Sequence, residues 1–287
     1  MRARRASTPV VPFTPVADAR IAAIIPALNE EAAVGGVVST VRTTLGPCLS
    51  QIIVVDNGST DQTAQIAEAA GATVVREPQR GYGAACLAAL AIVERNADIV
   101  LFVDSDGSDV VPDALRIIEP IIAGHADLVI GSRVAGVIEQ GAMTAPQRFG
   151  NWLAPLLVRL IWGVRYTDLG PFRAIRRDAL EQLAMQDRDF GWTIEMQVRA
   201  AKHGLRIIEV PTGYRRRIGV SKISGTVRGV ILAGTKILFV IGREAFGDFG
   251  VSHVSQAQGP GRRQHASVRG KQAGNLVATL AERAAND

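Results

Sequence analysis

An α/β fold, with a mostly parallel central sheet covered by helices, is what this 287-residue sequence predicts. Three observations lead there. From residue 20 onward, short β-branched runs alternate with longer alanine-rich segments. Three of those runs end at their carboxyl side in polar groups, as "IIPALNE", "IIVVDNGSTD" and "VLFVDSDGSD". The composition, 47% hydrophobic and 21% charged, is that of a chain able to bury a full core.

In order, strands are predicted at Ile21–Pro26, Gln51–Asp56, Thr73–Arg76, Ile99–Asp104 and Asp127–Ser132, each a short run rich in Ile and Val. The longer segments between them predict helices at Glu31–Leu45, Asp61–Ala70, Gly83–Arg95 and Pro112–Ala123. After Ser132 the rhythm changes. "PQRFGNWLAPLLVRLIWGVR" carries apolar residues at helical spacing, "GPFRAIRR" reads as a strand, "TIEMQVRAAKHG" as a helix ended by Gly204, and "LRIIEVP" as a last strand.

The ends read differently. "MRARRASTPVVPFTPVADAR" is basic and interrupted by prolines at 9, 12 and 15, so residues 1–19 are expected to be a disordered arm rather than a signal segment. From Gly247 the chain turns rich in Gln, Gly, Ser and Arg, which predicts a mostly disordered tail over 247–287 with a short helix at "NLVATLAERAAN". Residues 20–246 then form the folded domain.

Two cysteines, Cys48 and Cys86, are too few for a disulfide framework, and a reducing compartment, the cytoplasm, is expected. No window is apolar enough to span a bilayer; "GVILAGTKILFVIGREAFG" is broken by Lys236 and Arg243, although it could lie on a membrane. The net charge of +5 sits largely at the two ends and in "YRRRIGVSK", and basic residues without interleaved aromatics argue against a nucleic-acid module.

The chemistry concentrates at the strand ends, where ligands of open α/β sheets bind. Asp104 and Asp106, spaced i, i+2 in an extended segment, point the same way. Two carboxylates about 4 Å apart repel by roughly 4 kcal/mol at an effective dielectric of 20, so the pair calls for a cation or for donors. Mg²⁺ or Mn²⁺ held jointly with substrate phosphates is one reading, and a solvated turn is the other. A calcium loop starting at Asp104 fails, since its sixth position is Asp109 and its twelfth Leu115. Asp109 is expected to be a turn residue or a cap for the helix at Pro112.

"RGYGAAC" lacks the third glycine of a dinucleotide fingerprint. It reads either as a loop in which Arg80 reaches a phosphate or as a helix start. Neither a phosphate-binding GxxxxGK[ST] loop nor GxSxG occurs, and the four histidines have no zinc-type spacing.

The blocks "IIPALNEE", "IIVVDNGSTDQT", "RGYGAA", "FVDSDGS", "LVIGSR", "TDLGPFRAIRRDAL", "WTIEMQVRAAKHG" and "VPTGYRRRIGVSKISGT" resemble, in order, those of family-2 glycosyltransferases, and among them the polyprenyl-phosphate (dolichol-phosphate) mannosyl- and glucosyltransferases. The resemblance implies a three-layer, Rossmann-like GT-A domain and inverting, metal-dependent transfer of a hexose from a nucleotide diphosphate sugar. Carried onto this sequence, it implies that Pro26, Ala27, Asn29 and Glu30 lie beside the nucleoside and Asp56 at the base or ribose, with Ser105 and Arg80 also on the nucleotide. It implies that Asp104 and Asp106 hold Mg²⁺ or Mn²⁺ on the diphosphate. Ser108 stands where many mannosyltransferases carry Gln, which leaves a third metal ligand open.

Arg80 and Arg133 are expected to meet phosphate, because a guanidinium matches it with bidentate geometry; a surface ion pair is the alternative for Arg133. In "YRRRIGVSK", Arg217, Ser221 and Lys222 are chosen as a phosphate clamp against the reading of a solvated basic loop. Arg148 is placed with them on the acceptor side. A phosphate monoester acceptor has a second pKa near 6 and needs no protein base, whereas a sugar hydroxyl would need one. Asp168 and Glu195 are the candidates, the first equally able to cap "LGPF" and the second to pair with an arginine of the second half. Leu153, Leu156, Leu157, Leu160 and Ile161 form a helical stripe with Trp152 and Trp162 nearby, which suits core packing or an interfacial helix.

The expected function is therefore transfer of a hexose to a polyprenyl phosphate at the cytoplasmic face of the membrane. Transfer to a soluble hydroxyl acceptor, and nucleotide binding by a degenerate site, are the alternatives.

Overall fold

The computed structural model describes residues 19–219 and 227–254. Ser221 and Lys222, the arm through residue 18 and the tail beyond Val254 lie outside the described residues. Ala19, assigned from sequence to the arm, is 3% exposed and packs into the core.

Seven strands form one sheet: β1 (Ile21–Ala27), β2 (Leu49–Asp56), β3 (Thr73–Arg76), β4 (Ile99–Phe102), β5 (Leu128–Ser132), β6 (Arg173–Arg176) and β7 (Ile207–Pro211). Their spatial order is β3-β2-β1-β4-β6-β5-β7. All pairings are parallel except those of β6, which runs antiparallel to β4 and β5. The order turns back at β1, whose neighbours β2 and β4 follow it on opposite sides. That is the switch point at which α/β sheets open a crevice.

The central strands β1, β4 and β5, and β2 from Ile52 to Val55, are apolar runs because both faces are covered. Ile21, Ala23, Ile25, Val54 and Leu101 face one layer, with α1 (Val34–Leu45), α2 (Thr63–Ala69) and α4 (Ala114–Ile122). In α1, Val34, Val37, Val38, Val41 and Leu45 are buried at helical spacing, each worth roughly 1.5–3 kcal/mol of transfer free energy. Ala22, Ile24, Ile53, Val100 and Phe102 face the other layer, with α3 (Tyr82–Leu90), α5 (Ala145–Trp162), α6 (Arg177–Leu183), α7 (Trp192–Lys202) and α8 (Val227–Val254). The three-layer α/β fold expected from the sequence is the one observed.

The compact unit ends at Phe246, and a second unit begins at Gly247. Within the second unit the described backbone, to Val254, is helical where the composition predicts disorder. Among the described residues no helix is long and apolar enough to cross a membrane.

Candidate active site

The loops after β1, β2 and β4 meet at the switch point. Ser105 Oγ donates to the Pro26 carbonyl at 2.7 Å and ties the β4 loop to the end of β1. Asn29 adopts a left-handed backbone (φ 53), which Asn tolerates better than most residues. Its Oδ1 accepts from the Thr60 amide at 2.7 Å, and the Asp56 carboxylate accepts from the Ser59 amide at 2.9 Å. Between these loops lies a cavity of about 660 Å³ whose wall includes Pro26, Ala27, Glu30, Asn57, Arg80, Asp104, Ser105, Asp106 and Arg217.

Asp104 and Asp106 line it, with the buried Asp109 beside them. Asp109 accepts a hydrogen bond from the Asp104 amide at 3.0 Å. Asp106 accepts from the Ser108 amide at 2.9 Å and from its hydroxyl at 2.6 Å. Burial, then the charges of Asp109 and Asp106, push the Asp104 carboxyl well above the usual range. Burial also raises Asp109 to about 7. Arg217 answers part of this charge, with Nη2 2.7 Å from Glu30 Oε1 and Nη1 3.3 Å from Asp106 Oδ2.

Hard oxygen donors that repel one another are the donor set for Mg²⁺ or Mn²⁺. Among the described residues no group of three His, Cys, Asp or Glu is arranged to hold an ion unaided. Asp104 and Asp106 therefore fit an ion whose remaining ligands are phosphate or water oxygens.

A second cavity, of about 470 Å³, adjoins the first. Tyr82, Asp104 and Phe190 line both. Its wall is otherwise mainly apolar, with Leu153 and Ala154 of α5, Leu169, Pro171, and Ile237 and Leu238 of α8. Asp104 and Arg133 are its charged lining residues.

The Glycosyl transferase family 2 model matches residues 22–184. The chain belongs to glycosyltransferase family 2. An uncharacterized glycosyltransferase of Mycobacterium tuberculosis is 36% identical over 223 residues, covering 74% of this chain and 94% of that protein. The undecaprenyl-phosphate mannosyltransferase of Micrococcus luteus is 31% identical over 222 residues, covering 73% and 90%. Among solved structures, glucosyl-3-phosphoglycerate synthase from M. tuberculosis, in complex with Mn²⁺, UDP and glucosyl-3-phosphoglycerate, is similar in fold with a TM-score of 0.63 at 23% identity, covering 79% of this chain and 80% of that one.

In this glycosyltransferase the structure sorts the sequence candidates. Pro26, Ala27, Glu30, Arg80, Ser105, Asp104, Asp106 and Arg217 share the polar cavity. Asn29 and Asp56 brace its loops rather than line it. Arg133 lines the apolar cavity beside Asp104, 5.0 Å above the Tyr214 ring.

The two candidate bases are placed otherwise. Asp168 is fully buried and bound to Arg133, Nε to Oδ2 at 2.8 Å and Nη2 to Oδ1 at 2.7 Å. Glu195 is also fully buried and lines neither cavity. It accepts from the Gln186 and Asp187 amides at 3.0 and 2.7 Å and pairs with Arg243 at 2.6 Å and Arg199 at 3.1 Å, fastening α8 to α7. For Glu195 the alternative reading, a pair with an arginine, is the observed one; Asp168, whose alternative was a cap of "LGPF", is instead the partner of Arg133. Arg148, on α5, lines a different cleft, of which Asp104 is not part. Ser108 is fully buried and positions Asp106. Asp109 holds the Asp104 amide instead of capping the helix after it, because the turn at Gly107 brings its carboxylate back onto the strand end.

Asp189, Phe190, Tyr82 and Asn57 were missed. Asn57 donates to the carbonyls of Glu77 and Gln79 and accepts from the Gly81 amide, fixing the loop that carries Arg80. The glycines of "RGYG" serve the protein's own backbone. A Cβ at Gly81 would sit 2.1 Å from the Arg188 carbonyl oxygen, and one at Gly83 2.0 Å from that of Asp187. Small residues there let the 187–190 segment close the cavity with Asp189 and Phe190.

Proposed function

We infer that the chain transfers a hexose from a nucleoside diphosphate sugar, with Mg²⁺ or Mn²⁺, to a polyprenyl phosphate presented at the inner face of the cytoplasmic membrane. The observation that supports this best is the pair of adjoining cavities. The polar one suits a nucleoside diphosphate, and the apolar one suits the first isoprenoid units of a lipid, with Asp104 at their junction.

In this reading the divalent ion, when bound, neutralises charge growing on the departing diphosphate. Asp104 and Asp106 would hold it, and the Ser108 hydroxyl fixes the Asp106 carboxylate for that role. Arg217 moves from the Asp106 carboxylate to a phosphate oxygen, an exchange of like geometry for a guanidinium. Arg133, locked by Asp168, receives the acceptor phosphate. Its oxygen, already ionised near neutral pH, attacks the anomeric carbon from the side opposite the leaving group and inverts the configuration. No protein base is required, which agrees with Asp168 and Glu195 both being committed to arginines.

One observation favours a second reading. Asp189 lines the polar cavity, and among the described residues its carboxylate makes no ion pair or side-chain hydrogen bond. It could deprotonate a sugar or glycerate hydroxyl. Labelled UDP- and GDP-sugars supplied with either polyprenyl phosphate or soluble hydroxyl acceptors decide between them: label moving into the organic phase with Asp189→Asn nearly as active as the parent supports the lipid. Label confined to water, with Asp189→Asn inactive, overturns it.

A further inference from the structure

We propose that the cleft on the outer flank of α5 is a docking site for the phosphate headgroups of an anionic bilayer. This cleft, of about 690 Å³, is separate from the two at the active site. Arg148, Arg159 and Arg165 line it, and no acidic residue does. Helix α5 contains no Asp or Glu along its whole length. Among the described residues none of the three guanidiniums has an ion pair or a side-chain hydrogen bond. The carboxylates nearest in sequence are engaged elsewhere: Asp168 grips Arg133, and Glu139 pairs with Arg216 and accepts from its backbone amide.

The apolar side chains on the same flank argue for a bilayer over a free anion. Phe149, Trp152 and Leu160 are 60%, 60% and 72% exposed. The Phe149 and Trp152 rings lie 5.8 Å apart. At about 100° per residue, Arg148, Arg159, Trp152, Phe149 and Leu160 fall within an arc of about 120°, with the cations along one edge and the apolar groups beside them. A soluble phosphate would account for the arginines alone. An interface with headgroups above acyl chains accounts for both, because aromatic and aliphatic groups enter the boundary while guanidiniums stay with the phosphates.

The adjoining flank of the same helix, through Phe149, Leu153 and Ala154, walls the apolar cavity beside Asp104, and Asn151 reaches both clefts. A bilayer held on the outer flank would thus sit within one helix diameter, about 10 Å, of the place where a lipid-borne acceptor must enter, with Phe149 shared between the two. The purpose of the site rests on the lipid-acceptor reading; the binding itself does not.

The test is sedimentation of the full chain with vesicles of phosphatidylcholine alone, or with about one-third phosphatidylglycerol, without nucleotide or polyprenyl phosphate. Each arginine at an anionic surface contributes about fivefold in partitioning, so Arg148→Gln/Arg159→Gln/Arg165→Gln should bind anionic vesicles on the order of 100-fold more weakly. Its binding to neutral vesicles should change about twofold at most, and Trp152→Ala should weaken both. Should the triple variant fail to fold, the three single variants replace it, each expected to lose about fivefold. Equal binding of parent and variants to anionic vesicles overturns the proposal, as does a parent that binds no vesicle. Displacement of the parent by soluble glycerol phosphate at constant ionic strength reassigns the cleft to a free anion. A failed transfer assay leaves these results standing, and the converse holds.

Discussion

Asp168 grips Arg133 with three hydrogen bonds: the backbone amide and Nε reach one carboxylate oxygen at 2.8 Å each, and Nη2 reaches the other at 2.7 Å. Both side chains are buried, so the pair fixes the guanidinium as firmly as a covalent neighbour would. Removing one partner strands a buried charge, at a typical cost of about 3–5 kcal/mol. Asp168→Asn should lower the unfolding free energy by about 3 kcal/mol and turnover by at least ~100-fold. Arg133→Met/Asp168→Leu should recover stability in denaturant titrations without recovering turnover. Full turnover in that double variant would remove Arg133 from the transfer step.

Ser108 orients a carboxylate that the metal reading makes essential. Asp104→Asn and Asp106→Asn should each abolish transfer at saturating donor. Ser108→Ala should weaken Mn²⁺ binding by about 10- to 100-fold, as loss of a group supporting a ligand usually does. Mn²⁺ titration by electron paramagnetic resonance with UDP present measures this. Unaltered Mn²⁺ affinity in Ser108→Ala would show that the hydroxyl does not position the ligand.

Glu195→Gln separates structure from chemistry. The buried carboxylate serves two arginines and two amides, so its loss should cost about 3 kcal/mol in unfolding free energy. Turnover per folded molecule, measured well below the melting temperature, should stay within about threefold of the parent. A fall of a thousandfold with an intact fold would restore Glu195 as a base.

Asp109 predicts a pH dependence of stability. Its carboxyl is raised in the folded chain from 3.8 to about 7, so the native state binds the proton more tightly than the unfolded state. The associated stability is complete below pH 4 and is lost as pH rises through about 7; Asp104, raised by the same burial, adds to the trend. With a chelator present, the denaturation midpoint of Asp109→Asn should fall less than that of the parent between pH 4 and 7. Parallel pH profiles would contradict the assignment.

Gly83→Ala and Gly150→Ala form a matched pair. A Cβ at Gly83 meets the Asp187 carbonyl oxygen at 2.0 Å, and one at Gly150 meets nothing within 4 Å. The first should lower stability by about 1–3 kcal/mol and displace the 187–190 segment, impairing activity. The second, inside α5, should raise stability by up to about 1 kcal/mol. Thermal melts of both variants check the contrast.

Strands β1, β2, β4 and β5 were legible because a strand buried on both faces reads as an apolar run, and the polar ends of β1, β2 and β4 marked the crevice; the edge strand β3 was legible from its β-branched residues alone. Helix α6 was not, since "RDALEQL" follows β6 without an intervening loop. Glu195 looked like a site residue because its partner Arg243 lies 48 positions away and carries no local signature. The glycines near Arg80 signalled a close approach, but sequence could not say that the approaching group was the chain itself. Asp189 had no spacing or motif to announce it; only the closure of the 187–190 segment over Tyr82 brings it to the cavity.

The reversed strand β6 has a further consequence. Because it runs against β4, with Phe102 opposite Arg173, its beginning lies beside the end of β4, and the segment preceding it arrives at the crevice edge. A strand in the common direction would have delivered that segment to the far edge. Residues before 110 thus supply one bank of the crevice and residues after 130 the other, joined by the β4–β6 ladder, the Asp109–Tyr214 bridge and the pairing of Arg217 with Glu30 and Asp106. The antiparallel seam is therefore where the donor half and the acceptor half of the crevice are stitched into one wall.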